Sequence, residues 1–360
     1  MGTRNATRAK APAGIVIGRE LVNDCARYAP ALDLLYLNNP KCGCTTIKHA
    51  LWFASDAMLG QDTFRGNVHD RKLDPFAKNV FRLPGRQAER IARAAVFSVV
   101  RNPFARALSA YVDKVANDPD VWPIFLKRFG LKAHVGKKEL PFADFLGLIA
   151  VAHDNILDGH FRPQSRNLLL PLAKPVFVGF VENMRSVGRF LENCGVPFRD
   201  ERMNATHAYE QLDGFYDSRT AALVRRRYAE DFARFGYSTN LAEGLAPPAR
   251  DSLCMSDGTA DALLGWLATG KTPYAAASRA NADFAAFKRA RETGTKLRIV
   301  RAAFAKEHDW SRLQRYAGFV RRNSRTKTLQ DAIGDRMLSL RRRYAKIVHD
   351  PALFVELPTS

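Results

Sequence analysis

Apolar positions follow two rhythms along the chain, and each predicts a different kind of element. Short unbroken apolar runs bounded by turn residues read as buried strands. Leu34-Leu35-Tyr36-Leu37 runs into Asn38-Asn39-Pro40, Ala94 to Val100 runs into Asn102-Pro103, and Val176 to Val181 forms a third run. Between them lie helical stretches: Thr45 to Ala57, Phe104 to Val115, 141–158 opening at Pro141, Met184 to Asn193 ending at Gly195, and Ser218 to Phe235 stopping at Gly236. Asn102 is a good N-cap, and Pro103 fits the first helical position behind it. Strands alternating with helices predict an α/β fold with a central parallel sheet flanked by helices. After Leu245-Ala246-Pro247-Pro248 the strand signals vanish, and Ala, Arg and Lys dominate. The pattern therefore predicts a flexible basic tail at 1–14, a main α/β domain at 15–244 and a separate basic helical domain at 245–360.

The chain of 360 residues is long enough for about two domains and for a sizeable core without staples. Its formal net charge of +20 changes the picture more. A field of that sign favours nucleotides, nucleic acid, acidic glycans or an anionic membrane surface. The five cysteines, at 25, 42, 44, 194 and 254, do not form a secreted disulfide framework and point to a reducing compartment. No apolar run approaches the roughly 20 residues a membrane helix needs. Arg4, Arg8 and Lys10 are not followed by the apolar stretch of a secretory signal. The expectation is a soluble, cytoplasmic protein, with room for peripheral contact with an anionic membrane.

Two segments carry candidate chemistry. The first is Pro40-Lys41-Cys42-Gly43-Cys44-Thr45-Thr46-Ile47-Lys48, between a strand and a helix. Gly43 can take a positive φ and let the backbone approach a ligand. The first N–H groups of the helix lack intrahelical partners and sit at the positive end of its dipole, so the turn suits a phosphate. Thr45 and Thr46 add hydroxyls, and Lys41 and Lys48 add charge. The second segment is Arg101-Asn102-Pro103-Phe104-Ala105-Arg106-Ala107-Leu108-Ser109-Ala110-Tyr111, directly after a strand. It delivers Arg101 to the sheet edge where ligands of open α/β sheets bind, and an arginine there can grip a phosphate with two bonds. Ser109, about two turns on, can add a further bond.

A literal Walker A pattern also occurs, at Gly265-Trp266-Leu267-Ala268-Thr269-Gly270-Lys271-Thr272. It lies at the end of an expected helix, with no strand before it and Pro273 after it, and is rejected as a phosphate loop. Among the histidines, His69 sits in a polar loop and suits a general base, the group an attacking hydroxyl needs. His160 is the rival, and His153 reads as structural. No His, Cys, Asp or Glu group has metal-ligand spacing, and Cys42 and Cys44 read as loop filling.

Together the segments PKCGCT and RNPFARALSAY resemble the carbohydrate (type 2) sulfotransferase family. Val68-His69, His160-Phe161-Arg162-Pro163-Gln164, Phe177-Val178-Gly179-Phe180-Val181-Glu182 and Phe232-Ala233-Arg234-Phe235-Gly236-Tyr237 are similar to further stretches of that family, in the same order. The resemblance spans roughly residues 34–240 and implies a P-loop-like sulfotransferase fold. It also implies the donor PAPS (3'-phosphoadenosine-5'-phosphosulfate), released as PAP. Lys41, Cys42, Gly43, Cys44, Thr45 and Thr46 would hold the 5'-phosphosulfate, and Arg101 and Ser109 the 3'-phosphate. In the implied reaction His69 takes the acceptor's proton, Lys41 offsets charge on the departing oxygen and Lys48 steadies the sulfuryl oxygens, with no metal required. The implied acceptor is a hydroxyl on a carbohydrate or glycolipid. An ATP-dependent kinase would need a Walker A loop and magnesium carboxylates. A nucleic-acid-binding module would need a recognised motif, or aromatics set among the basic runs, and the sequence has neither.

Overall fold

The computed structural model describes residues 17–116 except 65, 71, 72, 77 and 78, then 121–199 except 130, 134–139, 155, 156 and 171, then 212–243, 248–256, 261–269, 286–290, 295, 296, 298, 299, 316–320, 327–346 and 354–356. Its strands are β1 (Ala26–Ala29), β2 (Leu34–Leu37), β3 (Ala95–Val100), β4 (Leu131–Ala133), β5 (Phe177–Phe180), β6 (Ser252–Leu253) and β7 (Phe354–Glu356). Five of them form one sheet in the order β1-β2-β3-β5-β6. The middle three run parallel, with Tyr36 opposite Phe97 and Val100 opposite Phe180, while β1 and β6 pair antiparallel at the two edges. Side chains along a strand alternate between faces. Leu35, Leu37, Val96, Val100, Val178 and Phe180 accordingly enter one apolar cluster, and Leu34, Tyr36, Phe97, Val99 and Phe177 enter another on the opposite face. A sheet buried on both faces explains why its central strands read as continuous apolar runs.

The three parallel strands all end at one edge, and each feeds a turn that opens a helix. After β2 the chain passes through 38–43 into the helix Cys44–Leu59, after β3 through Arg101 and Asn102 into Pro103–Tyr111, and after β5 through 181–183 into Met184–Asn193. Asn102 caps its helix as expected, its side-chain oxygen accepting from the N–H of Phe104 at 2.9 Å. That helix continues as a π-helical turn, Val112–Ala116.

Several expectations need adjusting. The helix expected over 141–158 covers Phe142–Val151, after which the chain turns toward Pro163. The helix expected over Ser218 to Phe235 is two helices, Ser218–Arg227 and Ala229–Phe235, broken at Tyr228. The break leaves the Tyr228 hydroxyl donating to the Phe161 carbonyl at 2.9 Å and brings Asp231 onto the backbone of Gln164 and Ser165. The boundary expected at 245 does not divide two cores. β6, beyond it, completes the sheet by pairing with β5, and Leu253, Leu263, Trp266 and Leu267 share a cluster with sheet residues. β7, near the end of the chain, pairs with β4. Strands this short and isolated carry too little apolar periodicity to read from sequence. The described part of the Walker-like stretch, Gly265 to Thr269, is the end of the helix Ala262–Thr269 and not a loop after a strand; the Gly265 N–H donates to the Asp261 carbonyl at 3.0 Å. The expected tail at 1–14 and Gly270 to Thr272 lie outside the described residues.

The Trp266 ring is buried and lies 4.9 Å from that of Phe81, on the chain leading into the helix Gly85–Ile91. Replacing a buried tryptophan by alanine costs about 3–5 kcal/mol. Trp266→Ala should lower the stability of the whole protein by that order in urea unfolding followed by a probe in the sheet. A change below about 1 kcal/mol would mean that residues beyond 245 contribute no core to the sheet domain.

Candidate active site

The turn after β2 is shaped by two residues with left-handed backbone. Gly43 has φ 70° and precedes the first residue of the helix Cys44–Leu59; Lys41, a non-glycine residue, has φ 68°. A β-carbon on Gly43 would meet Met184 only at ordinary contact distance, so the positive φ, not space, asks for glycine here. At Lys41 the same conformation costs on the order of 1–3 kcal/mol and persists only where the surroundings enforce it.

They enforce it from beneath, through a buried polar network built on Gln164. Its Oε1 accepts from Asn39 Nδ2 at 3.0 Å, Cys42 Sγ at 3.2 Å and the Arg101 backbone N–H at 2.9 Å. Its Nε2 donates to the Arg101 carbonyl at 2.8 Å. One carboxamide thereby ties the turn after β2 to the end of β3. Asn39 Nδ2 also donates to the Val99 carbonyl at 3.0 Å, and Asn167 Nδ2 donates to Asn39 Oδ1 at 3.1 Å. Arg106, almost wholly buried, spreads its guanidinium over the carbonyls of Pro40, Arg162 and Gly159 at 3.1, 2.8 and 2.8 Å. Gln164 is held in turn by Asp231, whose two oxygens accept from the N–H groups of Gln164 and Ser165 at 2.7 and 2.9 Å. Burial raises the Asp231 pKa, and those two donors pull it the other way. Glu182, at the end of β5, accepts from the Asn102 N–H at 2.8 Å and from the Tyr237 hydroxyl at 2.9 Å.

The rim holds the candidate reactive groups. Arg101 Nη1 lies 3.4 Å from the Lys41 carbonyl, so the first residue after β3 reaches over the phosphate-type turn. The Lys41 ammonium lies 3.2 Å from Asp113 Oδ2. Cys44, Thr45 and Thr46 are partly exposed at the helix start. His69 meets this turn directly, its Nε2 lying 2.8 Å from Thr45 Oγ1. Although the residue is exposed, partial burial, followed by the positive charges of Lys48, His160 and Lys114, lowers its pKa from 6.5 to about 4. His160 stands nearby as a pair with Asp158. Asp158 Oδ1 accepts from both the backbone N–H and the Nδ1 of His160, an arrangement that leaves Nε2 as the outward nitrogen. Burial tends to raise the Asp158 pKa, but these bonds hold it below its usual value.

Three sequence expectations meet a different geometry. Lys48 does not reach toward a ligand on the turn. Its buried ammonium donates to the Val68 carbonyl at 3.1 Å and pairs with Asp74 at 3.4 Å, and Asp74 also pairs with Arg27 at 3.3 Å. Burial lowers the Lys48 pKa, with Asp74 opposing. Lys48 thus fixes the loop that carries His69. Ser109 is 0% exposed, so its hydroxyl faces protein, not solvent. Cys42 is not merely filling: its buried thiol joins the Gln164 network, and burial pushes its pKa up to about 12, which keeps it protonated and unreactive. Gln164, Glu182 and Arg106 lie within the family-like motifs, but the sequence alone assigns them no role. The available signal was polar residues embedded in otherwise apolar, strand-adjacent stretches.

These features match a known family. The family model described as the sulfotransferase family covers residues 26–238, well over half the chain, and the protein belongs to that family. The sheet with its turn and helix is the P-loop-like fold of such enzymes, and the chemistry of the family is transfer of a sulfuryl group. No curated protein and no solved structure matches the chain. Among the described residues no helix is long and apolar enough to cross a membrane.

Removing the Gln164 carboxamide should strain the whole rim. In Gln164→Leu the buried Arg101 N–H and carbonyl both lose this partner, at about 1–3 kcal/mol for each group left unsatisfied. Urea unfolding should show a loss of that order, and a loss under about 0.5 kcal/mol would show that the network does not hold the turn.

The His69 shift gives a pH signature. Its folded pKa lies below its unfolded value of 6.5, so between about pH 4 and 6.5 the unfolded chain binds more protons, and stability from this group falls as pH drops through that window. Ring-proton NMR should place the His69 midpoint well below 6.5 in the ligand-free protein; a midpoint at or above 6.5 contradicts the described environment.

Proposed function

We propose that the protein transfers the sulfuryl group of PAPS to a hydroxyl of a carbohydrate or glycolipid acceptor, releasing PAP. The observation that carries this reading is the convergence of the left-handed Lys41–Gly43 turn, a helix N-terminus and Arg101 at the ends of adjacent parallel strands. The residues fit the donor. The N–H groups of Cys44, Thr45 and Thr46 and the Lys41 ammonium would meet the 5'-phosphosulfate, and Arg101 the 3'-phosphate. The motif resemblance favours a carbohydrate acceptor over other hydroxyls.

In the reaction the acceptor oxygen attacks sulfur, a new O–S bond forms, and the S–O bond to the bridging oxygen breaks. Lys41 stabilises the negative charge that collects on that oxygen, a placed charge of the kind that dominates many active sites. His69 takes the acceptor proton on Nε2. Its low pKa keeps it unprotonated near neutral pH. The donor's negative charges would raise that pKa toward the working range, where a general base is most effective. When Thr45 turns its hydroxyl to the donor, Nε2 is freed for the acceptor. Lys48 and Asp74 act one step removed, by holding the Val68–His69 backbone. Arg342, Arg343 and Lys346, exposed on and just after the helix Lys327–Ala345, support peripheral contact with an anionic membrane or an acidic acceptor.

The test is a nucleotide panel read by thermal shift and calorimetry. PAP should stabilise the protein, by roughly 2.7 kcal/mol at a hundred times its dissociation constant, and ATP with magnesium should not. Arg101→Ala should weaken PAP more than adenosine 5'-phosphosulfate, because only PAP carries the 3'-phosphate; a lost charge-assisted bond costs on the order of 1.5–3 kcal/mol. A shift with ATP and none with PAP overturns the donor, and equal losses for the two nucleotides remove Arg101 from the 3'-phosphate.

A further inference from the structure

The Lys41 ammonium lies 3.2 Å from Asp113 Oδ2, and the same carboxylate oxygen lies 3.2 Å from the ammonium of Lys114. The Lys41 side chain is 14% exposed and that of Asp113 37%, so the pair is sheltered on the lysine side and partly open on the carboxylate side. Asp113 and Lys114 both belong to the π-helical turn Val112–Ala116, which extends the helix that begins just after Arg101. Such turns shift side chains out of α-helical register and recur at functional sites. Burial alone would raise the Asp113 pKa, but Lys41 and Lys114 outweigh it and hold the carboxyl ionised.

A fixed carboxylate beside the loop lysine is unfavourable for an anionic donor, because it repels the phosphosulfate and competes for the charge that should bind it. It is tolerable if the contact is exchanged when the donor arrives. Lys114 makes the exchange cheap, since Asp113 keeps a cation after Lys41 leaves and is not stranded as an uncompensated, partly buried charge.

We propose that Asp113 is a positioning residue that parks the Lys41 ammonium until the donor takes it, with Lys114 as the replacement counterion. The inference rests on reading the 41–46 turn as the donor site. In the free enzyme Lys41 is turned to Asp113. With donor bound, Lys41 turns to the bridging oxygen and Asp113 rests on Lys114 alone. The lysine's long, flexible stem permits the swing while its strained backbone stays fixed.

The test is a pair of double-mutant cycles read by PAP calorimetry on the full chain, with a thermal melt for each variant. Asp113→Asn should tighten PAP binding about two- to fivefold, the worth of a partly exposed ion pair. Lys114→Met should weaken it by a similar factor, because Asp113 then grips Lys41 harder. A general charge effect would give the same two directions, so the decision lies in the coupling. In the Asp113→Asn background Lys114→Met should change PAP affinity little, and in a Lys41→Met background Asp113→Asn should change it little. Asp113→Ser serves in place of Asp113→Asn if that variant melts early. Additive effects in both cycles, or weaker PAP binding by a folded Asp113→Asn protein, overturn the parking role and leave the donor site standing. A wild-type protein that binds no PAP overturns the donor reading and this inference together.

Discussion

The site depends on one buried carboxamide. Gln164 accepts from the side chains of Asn39 and Cys42 in the turn after β2 and clasps both backbone groups of Arg101 after β3. Buried polar groups are costly when unpaired and rigid when fully paired. A densely bonded network under the sheet edge can therefore hold a backbone that would not hold itself, and the left-handed Lys41 is that backbone. Asp231, Glu182, Arg106 and Asn167 extend the same device, each clamping one more strand end or turn to its neighbour. The backbone N–H groups of the turn and the backbone of Arg101 are thereby held without reorganising, whatever the long side chains at the rim do.

The loop that carries His69 is built differently. His69 sits on a loop and owes its position to Lys48 and Asp74, whose ion pair is buried beneath it. Its bond to Thr45 joins that loop to the turn after β2, so a ligand on the turn would be felt at His69. The electrostatics run the same way. Burial first, and then Lys48, His160 and Lys114, depress the His69 pKa in the free protein, and an anion between those cations would offset their contribution. Under the proposed function, donor binding would therefore strengthen His69 as a base through charge.

Much of this was legible in the sequence. Leu34 to Leu37 and Ala94 to Val100 read as strands because a sheet covered on both faces writes continuous apolar runs, and Asn102-Pro103 marks its helix start by its own chemistry. Lys41, Gly43, Thr45 and Arg101 were visible because strand-to-helix turns and strand ends are where ligands meet this class of fold. What escaped depends on tertiary pairing. β1 carries Arg27 and Tyr28, whose polar ends disguise a strand, and β6 is too short to show a period. Lys48 looked like a ligand group by spacing, but Asp74, 26 residues on by number, draws it inward, and spacing does not show that. Gln164 and Glu182 gave no sign of their partners, which lie 55 or more residues away in the chain.

The most direct measurement of the central claim is a crystal structure with PAP bound. The 5'-phosphate should lie on the backbone N–H groups of Cys44, Thr45 and Thr46 and the 3'-phosphate on the Arg101 guanidinium, with the Gln164 bonds unchanged beneath both. PAP bound with its phosphates away from these groups, or a turn that must unravel from Gln164 to admit it, would contradict the account.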